Sequence, residues 1–177
     1  LFPYTTLFRS SFHRYVYHST APAHLLVDLQ NGIVWDKERL KTHVLSAEMD
    51  IPDNHTITGH QVVENWVKRQ YYYVISFDKP YVVREVLSSA GGEKAKRLIL
   101  DFDLAEGDTL QVKIALSSVC LEGAKAALAK ENPGWDFDKI RMEACRQWNN
   151  LFDRVKVTGS DEQKKNFYTS LYHLFIQ

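Results

Sequence analysis

The feature that most limits what this chain can fold into is a change of pattern centred on Asn132-Pro133-Gly134. Before it the residues read mainly as short strands, and after it they read as helices. Pro-Gly is a hard break in any regular element. Asp136 follows it as a helix N-cap, because its carboxylate can accept from the unpaired N–H groups of a first turn. Apolar residues then recur at Phe137, Ile140, Ala144, Trp148 and Leu151, the three-or-four spacing of one buried helical face. Ser160-Asp161-Glu162-Gln163 is a capping box that opens a further helix. That helix carries an apolar stripe of Phe167, Leu171, Leu174 and Phe175, widened by Tyr168 and Tyr172. No Gly, Asn or Pro stops it before Gln177, so it is expected to run on.

Upstream, strand signals come at a steady beat: Phe12–Tyr17, Ala23–Leu29, Leu40–Ile51, His55–Val63, Tyr71–Phe77, Tyr81–Leu87, Leu98–Leu104 and Thr109–Val119. Asn31-Gly32, Lys79-Pro80, Gly91-Gly92 and Glu106-Gly107-Asp108 supply turns between them. Short strands with turn chemistry and no intervening helices predict an antiparallel β-sandwich rather than a parallel α/β sheet. Leu121–Lys130, rich in Ala and Leu, is the first helix. The fold class expected is therefore β-rich then α.

Charge narrows the function classes. Twenty-two basic residues balance twenty-two acidic ones, so the long-range field expected of a nucleic-acid-binding protein is not indicated. No apolar run approaches the eighteen or so residues of a membrane-spanning helix. Leu1–Ser10 (LFPYTTLFRS) lacks the layout of a signal peptide and could be an edge strand led by Pro3. It also resembles the conceptual translation of sequencing-adapter DNA, and residues 1–10 are set aside from the fold on that ground.

Several residues invite a chemical reading. Asp101 and Asp103, two apart on a strand, would lie about 7 Å apart on one face, a separation at which two carboxylates can serve as acid and base. The simpler reading makes Leu98, Leu100, Phe102 and Leu104 the buried face and leaves the two aspartates in solvent. Asp136 and Asp138 read as helix-start residues. His13, His18, His24, His43, His55, His60 and His173 fall in no metal-ligand spacing, although His18 and His24 flank a turn and could meet across it. Cys120 and Cys145 could be bridged, but two buried free thiols are the favoured reading. Asn54-His55-Thr56 has the glycosylation pattern and marks a surface turn. Trp66 and Tyr71-Tyr72-Tyr73 could form a stacking platform for a sugar, against the favoured reading that they fill the sandwich core. No catalytic or metal residue emerges from these residues alone.

The ordered series of local sequences goes further. Phe12-His13-Arg14-Tyr15, Leu25–Leu29, Trp66…Gln70…Tyr73, Val112–Ser117 and Glu122-Gly123-Ala124 resemble the later N-terminal domain of glycoside hydrolase family 92. Pro133–Phe137, Trp148-Asn149, Val155–Gly159, Gln163 and Phe167–His173 extend the resemblance through the helices. It implies a fragment of a bacterial, calcium-dependent, inverting exo-α-mannosidase that removes terminal mannose from glycans, in the periplasm, on the cell surface or secreted. It further implies residues 11–120 as an N-terminally truncated, supersandwich-like β-sandwich, 121–159 as connecting helices, and 160–177 as the start of an (α/α) barrel. The family's catalytic acid and base and its calcium ligands would lie beyond Gln177. The chain itself is therefore expected to carry no catalytic residue, no metal ligand and no calcium, and its substrate-binding residues are unassigned. A self-contained, non-catalytic module that binds a glycan or partner is the alternative.

Overall fold

The computed structural model describes residues 9–30, 43–88 and 96–176. Among the described residues eight strands precede three helices, in the order that the sequence pattern predicts. The strands are β1 (Ser10–Val16), β2 (Ala23–Asp28), β3 (His43–Asp50), β4 (Thr56–Glu64), β5 (Lys68–Phe77), β6 (Tyr81–Ser88), β7 (Lys96–Phe102) and β8 (Thr109–Ser117). The helices are α1 (Leu121–Glu131), α2 (Phe137–Phe152) and α3 (Asp161–Ile176). Two compact units result, one from residue 8 to residue 135 and one from residue 136 onward.

In the first unit all pairings are antiparallel. A five-stranded sheet runs β1-β8-β5-β4-β3, and a three-stranded sheet runs β2-β7-β6. Alternation along each strand sends every second side chain to the inner face. Ile57, Tyr73, Ile75, Phe77, Leu110 and Val112 from the larger sheet meet Ala23, Val27, Tyr81, Leu98, Leu100 and Phe102 from the smaller one in a single core. Rings of Phe77, Tyr81 and Phe102 sit 5.3–6.2 Å apart at its centre. Gly107, at φ +87°, takes the left-handed conformation that lets the chain turn from Ala105 into β8.

The outer face of the larger sheet is covered by α1. Small residues make this close approach feasible: Ala115 from β8 and Ala124 and Ala127 from α1 are buried, beside Val74 of β5. The first unit therefore has three layers, with the five-stranded sheet in the middle. Position 9 and β1 are tied to the end of α1: the Arg9 N–H and the Ser10 hydroxyl donate to Glu131 (3.1 and 2.6 Å), and Asn132 donates to Ser10 Oγ (2.7 Å). Of residues 1–10, to which the sequence reading gives a foreign origin, residues 1–8 lie outside the described residues.

The second unit is a helix pair whose starts follow the sequence signals. Asp136 accepts from the Lys139 N–H (3.0 Å). Ser160 and Gln163 bond reciprocally, Ser160 N to Gln163 Oε1 at 2.9 Å and Gln163 N to Ser160 Oγ at 3.3 Å. The two helices touch through rings, Trp148 against Tyr172 (4.9 Å) and Phe152 against Tyr168 (5.9 Å). The Tyr168 hydroxyl ties the connection by donating to the Val155 carbonyl (3.1 Å). The stripe of α3 departs from expectation. Tyr168, Leu171 and Phe175 are partly buried, whereas Phe167 and Leu174 are exposed.

Candidate functional site

The carboxylate pair is not assembled as a pair. β7 ends at Phe102, so Asp103 lies beyond the strand and is exposed, while Asp101 stands on the outer face of the three-stranded sheet. The burial of Leu98, Leu100 and Phe102 is the alternation expected, and it fixes Asp101 outward. Its register partner on β2 is His24, whose Nδ1 lies 2.7 Å from Asp101 Oδ1. The other ring nitrogen, Nε2, lies 3.1 Å from Nη1 of Arg84 on β6. Arg84 Nε is also 4.0 Å from Asp101 Oδ2. His24 thus spans a carboxylate and a guanidinium, with both ring nitrogens engaged. Such an imidazole is held in place through both ring nitrogens, one toward Asp101 and one toward Arg84. The expectation that His24 could meet His18 across the turn is corrected here: its partners come from β7 and β6.

Four other histidines make contacts of their own. His13 bonds Ser11 (3.0 Å), His55 Nδ1 donates to the Phe77 carbonyl (3.1 Å), His60 lies against the Tyr72 ring (4.7 Å), and His173 lies beside Tyr172 (5.7 Å). Among the described residues no three His, Cys, Asp or Glu side chains converge to hold a metal ion. Both cysteines are free, but the expectation of two buried thiols fails, because Cys145 is exposed and Cys120 half-buried. Cys145 stands one residue past Ala144 on α2, just off the stripe that is partly buried. Asn54 lies, as expected, in an exposed turn, between β3 and β4.

The aromatic concentration divides. Three successive tyrosines on a strand must alternate faces. Tyr73 is buried, and its hydroxyl donates to the Glu48 carbonyl (2.6 Å). Burial, with Asp50 and Glu48 nearby, pushes that phenol well above its ordinary range. Tyr72 faces the opposite side of β5 and packs on His60. Trp66 is in neither place. It sits in the turn joining β4 to β5 at 82% exposure, next to Val67 at 59%. The core reading is right for Tyr73 and wrong for Trp66, and no continuous platform links the two.

One residue that sequence reasoning passed over is Lys113. It is 4% exposed on β8, on the face covered by α1. Its Nζ donates to the Asn132 carbonyl just past the C-terminus of α1 (2.9 Å) and lies 4.0 Å from the Trp135 ring centre and 5.2 Å from that of Phe12. Cations are favoured at helix C-termini and over aromatic faces. Burial lowers the pKa of this ammonium. The signal was present: in Val112-Lys113-Ile114 the alternation puts Lys113 on the face away from the core, where only a covering element could bury it.

Comparison with known proteins supplies what the local geometry does not. Residues 3–117 match the glycosyl hydrolase family 92 N-terminal domain, and residues 123–177 match the glycosyl hydrolase family 92 catalytic domain. Among solved structures, a family GH92 α-mannosidase from Bacteroides thetaiotaomicron superposes with a TM-score of 0.76 at 24% identity, over 93% of this chain and 23% of that one. A second protein from the same organism, described as a family GH92 inverting mannosidase, gives 0.75 at 21% identity, over 93% and 22%. The family glycosyl hydrolase ccman5 gives 0.75 at 24%, over 94% and 23%. No curated protein matches the chain. The chain spans about a quarter of the length of the solved proteins it resembles. The sandwich followed by helices is the fold those structures share. With both domain matches falling in order along the sequence, the chain belongs to glycosyl hydrolase family 92.

Proposed function

We propose that this chain is the sandwich-to-helix portion of an exo-acting, inverting α-mannosidase that removes terminal mannose from glycans with the help of calcium, outside the cytoplasm. The observation that carries this reading is the succession of two family 92 domain matches, residues 3–117 and then 123–177. Two of the solved relatives support it, one described as an inverting mannosidase and one solved with mannoimidazole. In this reading the chain carries none of the reacting groups. Inversion needs one carboxylic acid to protonate the leaving oxygen and one carboxylate to activate water from the opposite face. Asp101 is bound to His24, and Asp103 is exposed beyond the end of β7. In this reading calcium would be held by other parts of the longer protein; among the described residues no His, Cys, Asp or Glu cluster could hold a metal ion.

The test compares two proteins, the 177-residue chain and the product of the complete gene. The complete protein is expected to release mannose from α-mannosides as the β-anomer, seen by NMR before mutarotation, and to lose activity on chelation until calcium is restored. The 177-residue chain is expected to release none. Turnover by the shorter chain would overturn the assignment of its role, and release of the α-anomer would overturn inversion.

A second reading, a non-catalytic surface that contacts glycan or partner, is favoured by one observation, the exposure of Trp66. Titration of mannose oligosaccharides against tryptophan fluorescence checks it. A saturable change in the chain that disappears in W66A is the expected result if this reading holds.

A further inference from the structure

We propose that Arg84, His24 and Asp101 form a pH-operated latch across the three-stranded sheet, in which neutral His24 holds the Arg84 guanidinium and protonated His24 releases it. The geometry fixes the neutral tautomer. Asp101 Oδ1, 2.7 Å from His24 Nδ1, can only accept, so Nδ1 carries the hydrogen. Arg84 Nη1, 3.1 Å from Nε2, can only donate, so Nε2 presents its lone pair. One imidazole is therefore both donor to β7 and acceptor from β6, and it ties β2 to both.

Protonation uses that acceptor. The proton comes from solvent and bonds to Nε2, converting it to an N–H donor that faces another donor. Two cations then stand where a hydrogen bond stood. The Nδ1–H bond to Asp101 survives and strengthens as a charge-assisted pair. Arg84 is 54% exposed on its side chain, and its remaining hold on this face, Nε to Asp101 Oδ2, is a long 4.0 Å ion pair, so it is the member able to leave. Histidine is the side chain whose ordinary charge change falls between pH 5 and 8.

The other charged groups on this face are farther away. Asp28 and Arg97 are register partners at the far end of β2 and β7, four residues along from His24 and Asp101, or about 13 Å. Asp103 lies exposed past the end of β7. Among the described residues, Asp101 and Arg84 are the charges in contact with the ring. Leu26 and Val82 are exposed on the same face, at 55% and 70%, so release of Arg84 would change the charge bordering an apolar surface.

The experiment is a double-mutant cycle on the 177-residue chain, joined to ring ¹⁵N shifts of His24. R84A is expected to raise the unfolding constant several-fold in the wild-type background at pH 8, and much less in H24A. At pH 5 the two backgrounds are expected to respond alike. H24Q keeps a donor toward Asp101 and an acceptor toward Arg84 without titrating, so its coupling to Arg84 is expected to be the same at both pH values. The ring shifts at pH 8 are expected to show hydrogen on Nδ1 and a lone pair on Nε2. A hydrogen on Nε2 at pH 8, or a coupling that falls with pH equally in H24Q and the wild type, would overturn the latch.

Discussion

Gly59 decides how two strands of the larger sheet can approach. It faces Tyr73 in the β4–β5 register and Met49 in the β3–β4 register. The Tyr73 hydroxyl crosses directly over it to reach the Glu48 carbonyl. A Cβ at this position would collide with that backbone carbonyl and with the phenol, neither of which can give way without breaking the other's hydrogen bond. G59A is therefore expected to cost about 1–3 kcal/mol, the usual range for overpacking, read as a lower urea midpoint at unchanged slope. An unchanged midpoint would mean that β3 and β4 can move apart freely. From the sequence, a lone glycine inside a strand signals close approach by something, but not which carbonyl or ring. The same limit hid the Arg84–His24–Asp101 contact, whose members are 60 and 77 residues apart. Alternation told which face Asp101 would take, and only the sheet order tells what stands next to it.

Elements held by local bonds were the most legible. The Asp136 cap and the Ser160/Gln163 box need only residues three apart, and both form as read. The strand alternation also survived, because burying one face of a sandwich fixes register strongly. What failed was the width of the α3 stripe. Leu174 and Phe167 have the right spacing but stay exposed, and spacing alone does not say how many partners a helix has. Within α2, Glu143 makes a prediction of its own. Its carboxylate takes two bonds from Arg146 (2.9 and 2.7 Å) and one from Gln147 (3.0 Å), and these hold its pKa down to about 2. The folded value lies below the unfolded one, so the contribution is complete above the ordinary glutamate range and is lost as pH falls through that range toward about 2. E143Q and the wild type are thus expected to differ in thermal stability at pH 7 and to converge near pH 2. The pair is open to solvent, and added salt should shrink the difference. A difference that persists at pH 2 would assign it to packing instead.

Across the whole molecule burial is unevenly shared, and this sets an order of local stability. The sandwich holds one continuous core, and β5 lies at the centre of its larger sheet, between β8 and β4, with Tyr73, Val74, Ile75 and Phe77 buried. The helix pair has Leu151 of α2 buried and no buried residue among those described in α3. Amides open for exchange with a free energy that follows the apolar contacts holding their element. Hydrogen exchange of the chain is therefore expected to be slowest in β5 and β8, intermediate in α1, whose Ala124 and Ala127 are buried against the sheet, and fastest in α3. The capping box does not change this order, since a cap adds about 1 kcal/mol, far less than a core strand gains from burial. If α3 proved as protected as β5, its exposed Phe167, Tyr172 and Leu174 would have to be covered in solution, and the helix pair could not then be the weakly held end of the molecule that its burial describes.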